Sequence, residues 1–408
     1  MAQNSDEREK WAMDVITGKA RGIGPTTLRC FLRGVSFLYK AGVKTRLRLF
    51  KKGWKEQHDL GTIVVSVGNL TMGGTGKTPV VERLARQLTE RGRKVAILSR
   101  GYKSAGLKKP QHWVHPETGD QVTSPPKIVS DGCKVHLKAR YAGDEPYMLA
   151  KNLLGVAVIV DKNRVRGGRF AVQKLGCDTL LLDDGMQYLN IAHSLDIVLV
   201  DQGTPFGIKG IIPRGTLREP PRNLCRADYV FITKCNGSSN EKLRKRITKL
   251  NPTAGVLECT HGPKHVQGVF HDEVLPLEEM DGKYVAAISG IAMPKSFDNL
   301  LRKMGAKVLF HTTFADHHAF TQDDIDRFMR RCVDRGVEMI ITTEKDAVRF
   351  PVPSEADVPV YFLRIEVKIL ENEEVWENCV DQICRRPIKE AVDWVEERLL
   401  EGDIVSCK

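Results

Sequence analysis

The residues best placed to do chemistry lie in a glycine-rich stretch between a strand pattern and a helix pattern. β-Branched residues at 63–67 precede it, and apolar residues at helical spacing over 80–88 follow it. Glycines let backbone N–H groups approach a phosphate chain at the positive end of a helix. Lys77 would reach the β- and γ-phosphates, and the Thr78 hydroxyl would bind Mg²⁺. The stretch reads Gly73-Gly74-Thr75-Gly76-Lys77-Thr78.

This stretch departs from the usual P-loop at one position. The usual loop begins with a glycine five residues before the Gly-Lys pair, and that position is Thr71 here. A chance match to a glycine-rich turn is the alternative. The buried-type strand before the stretch and the amphipathic helix after it favour a P-loop.

Three further groups of polar residues could complete a phosphate-transfer site. Asp183 and Asp184 end an apolar strand, where a carboxylate could reach Mg²⁺, although paired acids at strand ends are common in α/β proteins. Asp144 starts a helix pattern and could act in catalysis or merely cap the helix. Residues 214–220 offer two cations and a carboxylate for phosphate and metal, or form a solvated turn.

The elements around these residues predict an α/β fold with a P-loop NTPase-like parallel sheet and helices on both faces. Apolar strands that alternate with helices are typical of such sheets, and their ligands bind beyond the carboxyl ends of the strands. We assign this domain to residues 56–260. The predicted strands are 63–67, 95–99, 128–130, 156–160, 179–182, 197–201 and 229–233, with helices at 145–154 and 164–175 and an exposed loop at 103–124.

The composition changes after residue 260. Residues 261–283 are polar and rich in turn formers, and we interpret them as a linker. Strand and helix patterns then alternate over residues 284–408, which predicts a smaller second α/β domain without a phosphate loop of its own. Two domains that face each other would form the cleft that a kinase needs. The patterns are strands at 285–290, 308–310, 339–343 and 360–363 and helices near 294–304, 322–335 and 374–384.

Composition excludes several classes of protein. With 408 residues, 41% apolar and 28% charged, the chain is long enough for two ordinary globular domains. No run of eighteen apolar residues occurs, so no transmembrane helix is expected. The ten cysteines are scattered without a C-x-x-C motif, which favours a reducing compartment over disulfides or zinc.

Basic charge is concentrated near the amino terminus. Residues 19–55 contain eleven Lys or Arg and no acidic residue, and apolar residues recur there every three or four positions. A basic amphipathic helix over residues 25–52 is typical of a helix in a membrane interface. A first helix packed on the core is the alternative. Nucleic acid is not expected as a partner, because no recognition motif accompanies the charge. We therefore treat residues 1–55 as a membrane-associating segment.

Taken in order, these motifs resemble the tetraacyldisaccharide 4′-kinase family, from about Gly24 to Phe362. The family's more usual DDGFQ is DDGMQ here, and the likeness is strongest to the eukaryotic, plant-type members, which are assigned to mitochondria. The resemblance implies transfer of the γ-phosphate of ATP to the 4′-hydroxyl of a tetraacyl-disaccharide 1-phosphate, a lipid A precursor, to give lipid IVA. The motifs are VGNLTMGGTGKTP, LSRGY, GDEP, LLLDDGMQ, PRGTLREP, ISGIAMP, FADHHAF and TTEKDAV.

The resemblance also implies roles for individual residues. Asp144 would be the catalytic carboxylate, paired with His317 from the other domain, so that closure of the cleft would precede catalysis. His318 is expected to be a packed histidine. The ATP site would comprise Gly73, Gly74, Thr75, Gly76, Lys77, Thr78, Arg100 and Arg218, and the Mg²⁺ site Thr78, Asp183, Asp184 and Glu219. Asn69, Gln187 and Arg214 belong to the same motifs without an assigned role.

The expected cofactors are therefore ATP and Mg²⁺, and the expected partners are an acylated glucosamine disaccharide 1-phosphate and a membrane surface. We expect a monomer at a mitochondrial membrane or, in a bacterium, at the cytoplasmic face of the inner membrane. Two other classes stay open. A P-loop GTPase or metallochaperone would need an N-K-x-D motif, which residues 233–236 and 344–346 do not supply. A non-catalytic ATP-binding membrane scaffold would lack the Asp144–His317 pair.

Overall fold

The computed structural model describes residues 11, 14–16, 18–102, 104–107, 111–115, 119, 121–316, 318–354 and 357–386. The strands are β1 (Ile63–Asn69), β2 (Val95–Ser99), β3 (His112–Val114), β4 (Gln121–Thr123), β5 (Lys127–Asp131), β6 (Ala157–Val160), β7 (Thr179–Asp183), β8 (Leu195–Asp201), β9 (Tyr229–Thr233), β10 (Gly255–Gly268), β11 (Val274–Leu275), β12 (Tyr284–Ser289), β13 (Lys307–Thr313), β14 (Met339–Thr343) and β15 (Val360–Glu371). The helices are α1 (Ile23–Lys51), α2 (Lys77–Glu90), α3 (Ala139–Ala142), α4 (Asp144–Asn152), α5 (Arg164–Leu175), α6 (Glu241–Leu250), α7 (Pro294–Lys303), α8 (Gln322–Asp334), α9 (Glu344–Ala347) and α10 (Glu373–Arg385).

The chain forms two compact units, and neither is continuous in sequence. Unit 1 comprises Met1–Ser99, Asp161–Thr260 and Ile369–Lys408, and unit 2 comprises Arg100–Val160 and His261–Lys368. The predicted domains share the boundary at residue 260 but otherwise differ from these units. The prediction assigned residues 100–160 to the P-loop domain and the residues after 368 to the second α/β domain. A contiguous pattern cannot show that the chain leaves a unit and returns to it.

Unit 1 contains a parallel sheet with β1 at its centre. Strand β1 pairs in parallel with β7 on one side and with β8 on the other. Strand β7 continues to β2, and β8 continues to β9 and the first residues of β10. Every residue of β1, β2 and β7 is buried, so both faces of these strands are covered. The predicted α/β fold is confirmed.

Helix α10 completes unit 1 from a distant part of the sequence. Its Trp376 is buried, lies 5.6 Å from the ring of Phe231 in β9, and donates a hydrogen bond to Gln87 of α2. Sequence order had placed this helix in the second domain. Its bounds agree with the predicted helix, but its packing partners do not.

Unit 2 contains a second parallel arrangement in the order β13, β12, β14, β15. Alternate residues of β12 enter two different cores. Val285 packs with Phe297 of α7, whereas Ala286 packs with Phe328 of α8, so helices cover both faces. The pair β5–β6 is antiparallel, where a parallel pair had been predicted. Buried strands are equally apolar in either direction, so composition did not distinguish the two.

Two predicted irregular stretches contain ordered structure. Residues 261–283, predicted as a linker, instead hold the end of β10 and all of β11, and Val266 and Met280 from this stretch are buried with β12. The predicted loop at 103–124 includes the hairpin β3–β4, in which Trp113 is buried. In both stretches buried residues alternate with polar ones, so the sequence lacks the continuous apolar runs by which the other strands were predicted.

Helix α1 follows the predicted amphipathic helix closely. Phe50 is its buried residue, whereas Phe31, Phe37 and Leu38 are 67, 72 and 69% exposed. Leu32, Val35, Val43 and Leu47 of the same stripe are half-buried, so α1 is partly packed and partly exposed, and neither alternative describes the whole helix. Within the residues described, no helix combines the length and the apolar character needed to cross a membrane.

Candidate active site

The glycine-rich loop of unit 1 leads directly into α2. Gly76 precedes the helix in a left-handed conformation (φ 81°), and Gly73 is also left-handed (φ 112°). A Cβ added at Gly73 or Gly74 would meet nothing within 4 Å, so this part of the loop borders open space. Among the described residues no side chain caps the start of α2. The first N–H groups of the helix are therefore available to an anion.

The end of β9 fixes the backbone of this loop. The hydroxyl of Thr233 donates to the carbonyl of Thr75 at 2.8 Å, and both groups are buried. Lys234 Nζ donates to the carbonyl of Gly74 at 2.5 Å and pairs with Asp201 at 2.7 Å. Because a peptide is planar, holding these carbonyls also directs the N–H groups that follow them. Sequence reasoning had considered residues 233–236 only as a failed guanine-reading motif.

Lys77, the first residue of α2, is held by two acceptors. Its Nζ lies 3.4 Å from Asn69 Oδ1 and 3.4 Å from Asp184 Oδ1. Asn69 in turn donates to the hydroxyl of Thr71 at 3.2 Å. Asn69 therefore has a structural role, which is to orient the lysine at the end of β1.

Asp184 follows β7 in a left-handed conformation (φ 54°) and faces two cations. Arg218 Nη1 donates to its Oδ2 at 2.6 Å, opposite Lys77, and Arg164 donates to its backbone carbonyl at 3.0 Å. Burial alone would raise the pKa of Asp184, but the charges of Lys77 and Arg218 hold that pKa below its ordinary value. The ionised carboxylate thus stabilises the fold above the unfolded pKa, and this stability is lost as pH falls through the folded pKa.

The loop that carries Arg218 is attached to the entrance of the glycine-rich loop. The Arg218 N–H donates to the Leu70 carbonyl at 2.8 Å, and the Met72 N–H donates to the Thr216 carbonyl at 2.6 Å. These backbone bonds bring residues that are about 150 positions apart into one network. Arg218 is placed by main-chain pairing and does not depend on its own side chain for its position.

Glu219 is buried and its two carboxylate oxygens are both engaged. Oε1 accepts from Gln187 at 3.1 Å, and Oε2 accepts from Asn223 at 2.7 Å and Arg226 at 2.8 Å. Gln187 also donates to the Asn69 carbonyl at 3.1 Å. Gln187 therefore links Glu219 to the end of β1, a role that sequence reasoning left open.

The oxygen donors of this region fit Mg²⁺. Thr78 follows Lys77 in α2, and Asp183 precedes Asp184 at the end of β7; both are buried, and with Asp184 they offer the hard oxygens that Mg²⁺ prefers. Over the described part of the chain, no three His, Cys, Asp or Glu side chains form a ready metal cage. Mg²⁺ commonly takes one or two carboxylates and completes its shell with phosphates and water. The predicted metal set remains a prediction.

Helix α1 is docked on the same loop as Arg218. The Ser36 hydroxyl donates to the Ile211 carbonyl at 2.9 Å and accepts from the Arg214 N–H at 3.0 Å. Arg46 donates to the Gln187 carbonyl at 3.1 Å. Arg214 reaches back to the Ile16 carbonyl at 2.7 Å. Arg214 thus anchors the amino-terminal segment, which belongs to unit 1.

Unit 2 holds the predicted catalytic carboxylate. Asp144 is the first residue of α4, and the capping position belongs to Gly143 (φ 92°), so the simple capping role does not apply. Arg349 Nε lies 3.6 Å from Asp144 Oδ2, and Arg349 Nη1 donates to the His318 carbonyl at 2.7 Å. His317 lies outside the described residues.

Lys345 makes a similar link between the start of α4 and the residue that precedes position 317. Lys345 Nζ lies 3.9 Å from Glu145 and 4.0 Å from Asp316. The two chain neighbours of residue 317 are therefore both tied to the start of α4. Asp144 and those neighbours all belong to unit 2. The prediction placed Asp144 in the P-loop domain, whereas residues 100–160 belong to unit 2; His317 itself lies outside the described residues.

Buried polar contacts support this cluster. Asp346 is fully buried, pairs with Arg349, and accepts hydrogen bonds from the Gly290 N–H at 3.0 Å and the Thr343 hydroxyl at 2.6 Å. Residues of the ISGIAMP and TTEKDAV motifs thus meet at Asp346, whose carboxylate holds the guanidinium of Arg349 in place. Sequence reasoning missed Arg349, which lies just beyond the quoted motif.

His318 and Arg100 complete the set of predicted residues. The ring of His318 stacks on Phe314 with centroids 4.5 Å apart, and its Nε2 lies 3.1 Å from Asp324. This is a packed histidine, in agreement with expectation. Arg100 follows β2 in the chain and is exposed, and its role in ATP binding remains a prediction.

Comparison with known proteins decides the family. A family model described as Tetraacyldisaccharide-1-P 4′-kinase matches residues 28–385. The chain belongs to this family. The tetraacyldisaccharide 4′-kinase of Anaeromyxobacter dehalogenans is 36% identical over 343 residues, covering 83% of this chain and 86% of the relative. That of Desulfotalea psychrophila is 37% identical over 339 residues, covering 81% and 90%.

A solved structure of the tetraacyldisaccharide 4′-kinase family has the same fold. The crystal structure of LpxK from Aquifex aeolicus in complex with ATP matches with a TM-score of 0.67 and 28% sequence identity. The match covers 87% of this chain and 99% of that chain. The α/β architecture is therefore a property of the family.

The contact between β9 and the glycine-rich loop predicts a specific defect. Thr233→Val keeps the shape of the side chain but leaves the buried Thr75 carbonyl without its hydrogen bond, which costs about 1–3 kcal/mol. We expect the Kd for Mg·ATP to rise about tenfold, as measured by isothermal titration calorimetry.

Thr342→Val is the matched control. Thr342 is also buried and donates to the Ile288 carbonyl at 2.8 Å, but it lies in unit 2. It should lower the unfolding midpoint similarly and leave the Kd for ATP unchanged. Equal changes of Kd in the two variants would contradict the role assigned to Thr233.

Proposed function

We propose that this chain is an ATP-dependent lipid kinase that phosphorylates the 4′-hydroxyl of a tetraacyl-disaccharide 1-phosphate, a lipid A precursor, to give lipid IVA. The family match across residues 28–385 supports this reaction. The observation that carries it is the position of Lys77, which lies between Asn69 and Asp184 at the uncapped start of α2. An anion-binding backbone with a positioned cation beside it is what binding of a phosphate donor requires.

In this proposal unit 1 binds the phosphates of ATP. The N–H groups of residues 73–78 and the cations Lys77 and Arg218 neutralise charge on the phosphate chain, and Arg100, the first residue of unit 2, is proposed as a further cation. Thr78, Asp183 and Asp184 would hold Mg²⁺, which would supply further positive charge to the phosphate chain. Because its oxygens already accept three hydrogen bonds, Glu219 acts mainly by positioning Gln187 and Arg226.

Asp144 and His317 would accept the proton of the sugar hydroxyl. That hydroxyl is a poor nucleophile until a base takes its proton as the phosphoryl group arrives. A bond forms between the 4′-oxygen and the γ-phosphorus, the bond to the bridging oxygen breaks, and ADP leaves. Arg349 and Lys345 support this assignment because they tie both neighbours of residue 317 to the start of α4.

The observed contacts disfavour the GTPase alternative. In a GTPase the end of a strand after the phosphate loop supplies an N-K-x-D motif that reads guanine. Here Thr233 and Lys234, at the end of β9, are occupied with the carbonyls of the glycine-rich loop. We therefore favour ATP and a kinase over a GTPase or a passive scaffold.

The membrane contact that we propose involves residues 19–55. Each CH₂ buried in a bilayer is worth about 0.8 kcal/mol, so an acylated substrate does not leave the membrane readily. The exposed residues Phe31, Phe37 and Leu38 on α1 suit insertion into an interface. The chain would act as a monomer at the surface of a mitochondrial membrane, as its likeness to the plant-type branch suggests.

Transfer of label tests the reaction. With γ-labelled ATP and the lipid disaccharide 1-phosphate, we expect label in the lipid. Asp144→Asn and His317→Ala should each lower kcat about a hundredfold or more, and the double variant should lose little beyond either single one, because both residues handle one proton.

Glu145→Gln, one position from Asp144, is the comparison variant and should lower kcat far less than Asp144→Asn, because it removes a positioning contact and no proton acceptor. Glu145 lies 3.9 Å from Lys345, so the variant also removes a charge at the start of α4. Absence of label from the lipid with the wild-type protein would refute the kinase. Additive losses would refute a shared proton-accepting pair.

Point substitutions on α1 test the membrane contact. Removal of residues 1–52 would also delete Ser36 and Arg46, which contact the active-site loop, so we prefer Phe31→Ser with Leu38→Ser. Each replaced side chain removes about 1.5–3 kcal/mol of burial in the bilayer. We expect vesicle binding to fall at least tenfold and Mg·ATP binding to stay unchanged.

The control is Leu154→Ser with Val352→Ser. These unit 2 residues are 84 and 70% exposed, so the apolar surface removed is comparable. The control should bind vesicles like the wild type. An equal loss in both double variants would show that α1 is not the membrane contact.

A further inference from the structure

A cavity of about 150 Å³ lies beside α1, next to the loop that follows Glu219. None of its lining residues belongs to the glycine-rich loop. Helix α1 contributes five residues, and the segment after Glu219, which continues into a 3-10 helix (Pro221–Arg226), contributes three. The lining residues are Val43, Lys44, Leu47, Arg48, Lys51, Pro220, Arg222 and Asn223.

The charge of this cavity is entirely positive. Lys44, Arg48, Lys51 and Arg222 line it, and no carboxylate does. In the structure as described, none of these four side chains forms an ion pair or a hydrogen bond. Arg218 and Arg226 of unit 1, by contrast, each have a carboxylate partner. Four like charges around one space repel each other, so an anion bound there would gain attraction from all of them.

The rest of the cavity lining is mainly apolar. Val43 and Leu47 are half-buried and Pro220 is buried, and they form a wall beside the cations. A small inorganic anion gains nothing from such a wall. A phosphate attached to a glycerol backbone would place its charge on the cations and its carbon atoms on the wall.

We infer that this cavity binds the phosphate headgroup of an anionic phospholipid of the bilayer. The inference depends on the membrane contact of the proposed function and adds a specific lipid class to it. Lys44 lies seven residues after the exposed Phe37 on the same helix, about 10 Å along its axis. A side chain inserted in the interface and a headgroup in the cavity are therefore within reach of a single membrane surface.

The cavity is also connected to the active-site loop. Asn223, which lines it, donates to Glu219 Oε2 at 2.7 Å, and Pro220 directly follows Glu219. A bound headgroup would thus contact the loop that carries Arg218. The bilayer would in this way touch the segment next to the residues proposed to face the phosphates of ATP.

Vesicle binding with matched charge changes tests this site. The probes are vesicles of phosphatidylcholine with and without phosphatidylglycerol. The cavity variant is Lys44→Gln with Lys51→Gln, and the control is Arg33→Gln with Lys40→Gln, exposed residues of α1 that do not line the cavity. General attraction to an anionic surface would weaken both variants alike, by about fivefold per charge.

We expect the cavity variant to lose at least a further tenfold in its preference for anionic vesicles compared with the control. Arg222→Gln, a change outside the helix, should lose preference in the same direction. Monomeric dihexanoyl-phosphatidylglycerol should bind the wild type saturably, and inorganic phosphate should compete only weakly. Unchanged unfolding midpoints establish that the variants are folded.

Three results would overturn the site. They are equal losses in the cavity and control variants, competition by inorganic phosphate as strong as that of the short-chain lipid, and equal binding of wild type to neutral and anionic vesicles. None of these results bears on the transfer of label to the lipid or on the loss of vesicle binding in Phe31→Ser with Leu38→Ser. Failure of the headgroup site is therefore distinguishable from failure of the kinase or of the membrane contact.

Discussion

The active-site region of unit 1 depends on one carboxylate placed between two cations. Asp184 accepts from Arg218 at 2.6 Å and lies 3.4 Å from Lys77, at the carboxyl end of the strand beside β1. Without that carboxylate the two cations would repel each other across the space that the phosphates of ATP enter in the proposed function. With it they are held in position before any nucleotide arrives. Phosphate oxygens can then replace the carboxylate as partners at little cost in reorganisation.

Close backbone packing makes this position possible. A Cβ at Gly68 would lie 2.6 Å from Cβ of Met186, and a Cβ at Gly185 would lie 2.8 Å from the hydroxyl of Ser66. Both glycines let the turn after β7 approach β1, and the Gly185 N–H bonds to the Val67 carbonyl at 3.1 Å. The left-handed Asp184 thereby faces the start of α2. Geometry of the main chain sets the electrostatics here, because it fixes where the charges can lie.

Sequence reasoning worked best where the signal is local. Residues 164–175 were predicted as a helix with the observed bounds, and the glycine-rich stretch leads into a helix as expected. It failed where contacts join distant residues. The hydrogen bond of Thr233 to residue 75 and the ion pair of Arg349 with Asp144 leave no periodic pattern. The assignment of residues 100–160 to unit 2 likewise depends on packing that no single stretch contains.

The central claim is that Asp184 restrains Lys77 and Arg218 until Mg·ATP takes its place. Calorimetric measurement of ATP affinity with and without Mg²⁺, in the wild type and in Asp184→Asn, tests it most directly. The account predicts that the wild type prefers Mg·ATP by tenfold or more. The variant should bind Mg-free ATP at least as tightly as the wild type, because both cations are released, and should lose that preference. A variant that keeps the wild-type preference for Mg·ATP and binds Mg-free ATP more weakly would contradict it.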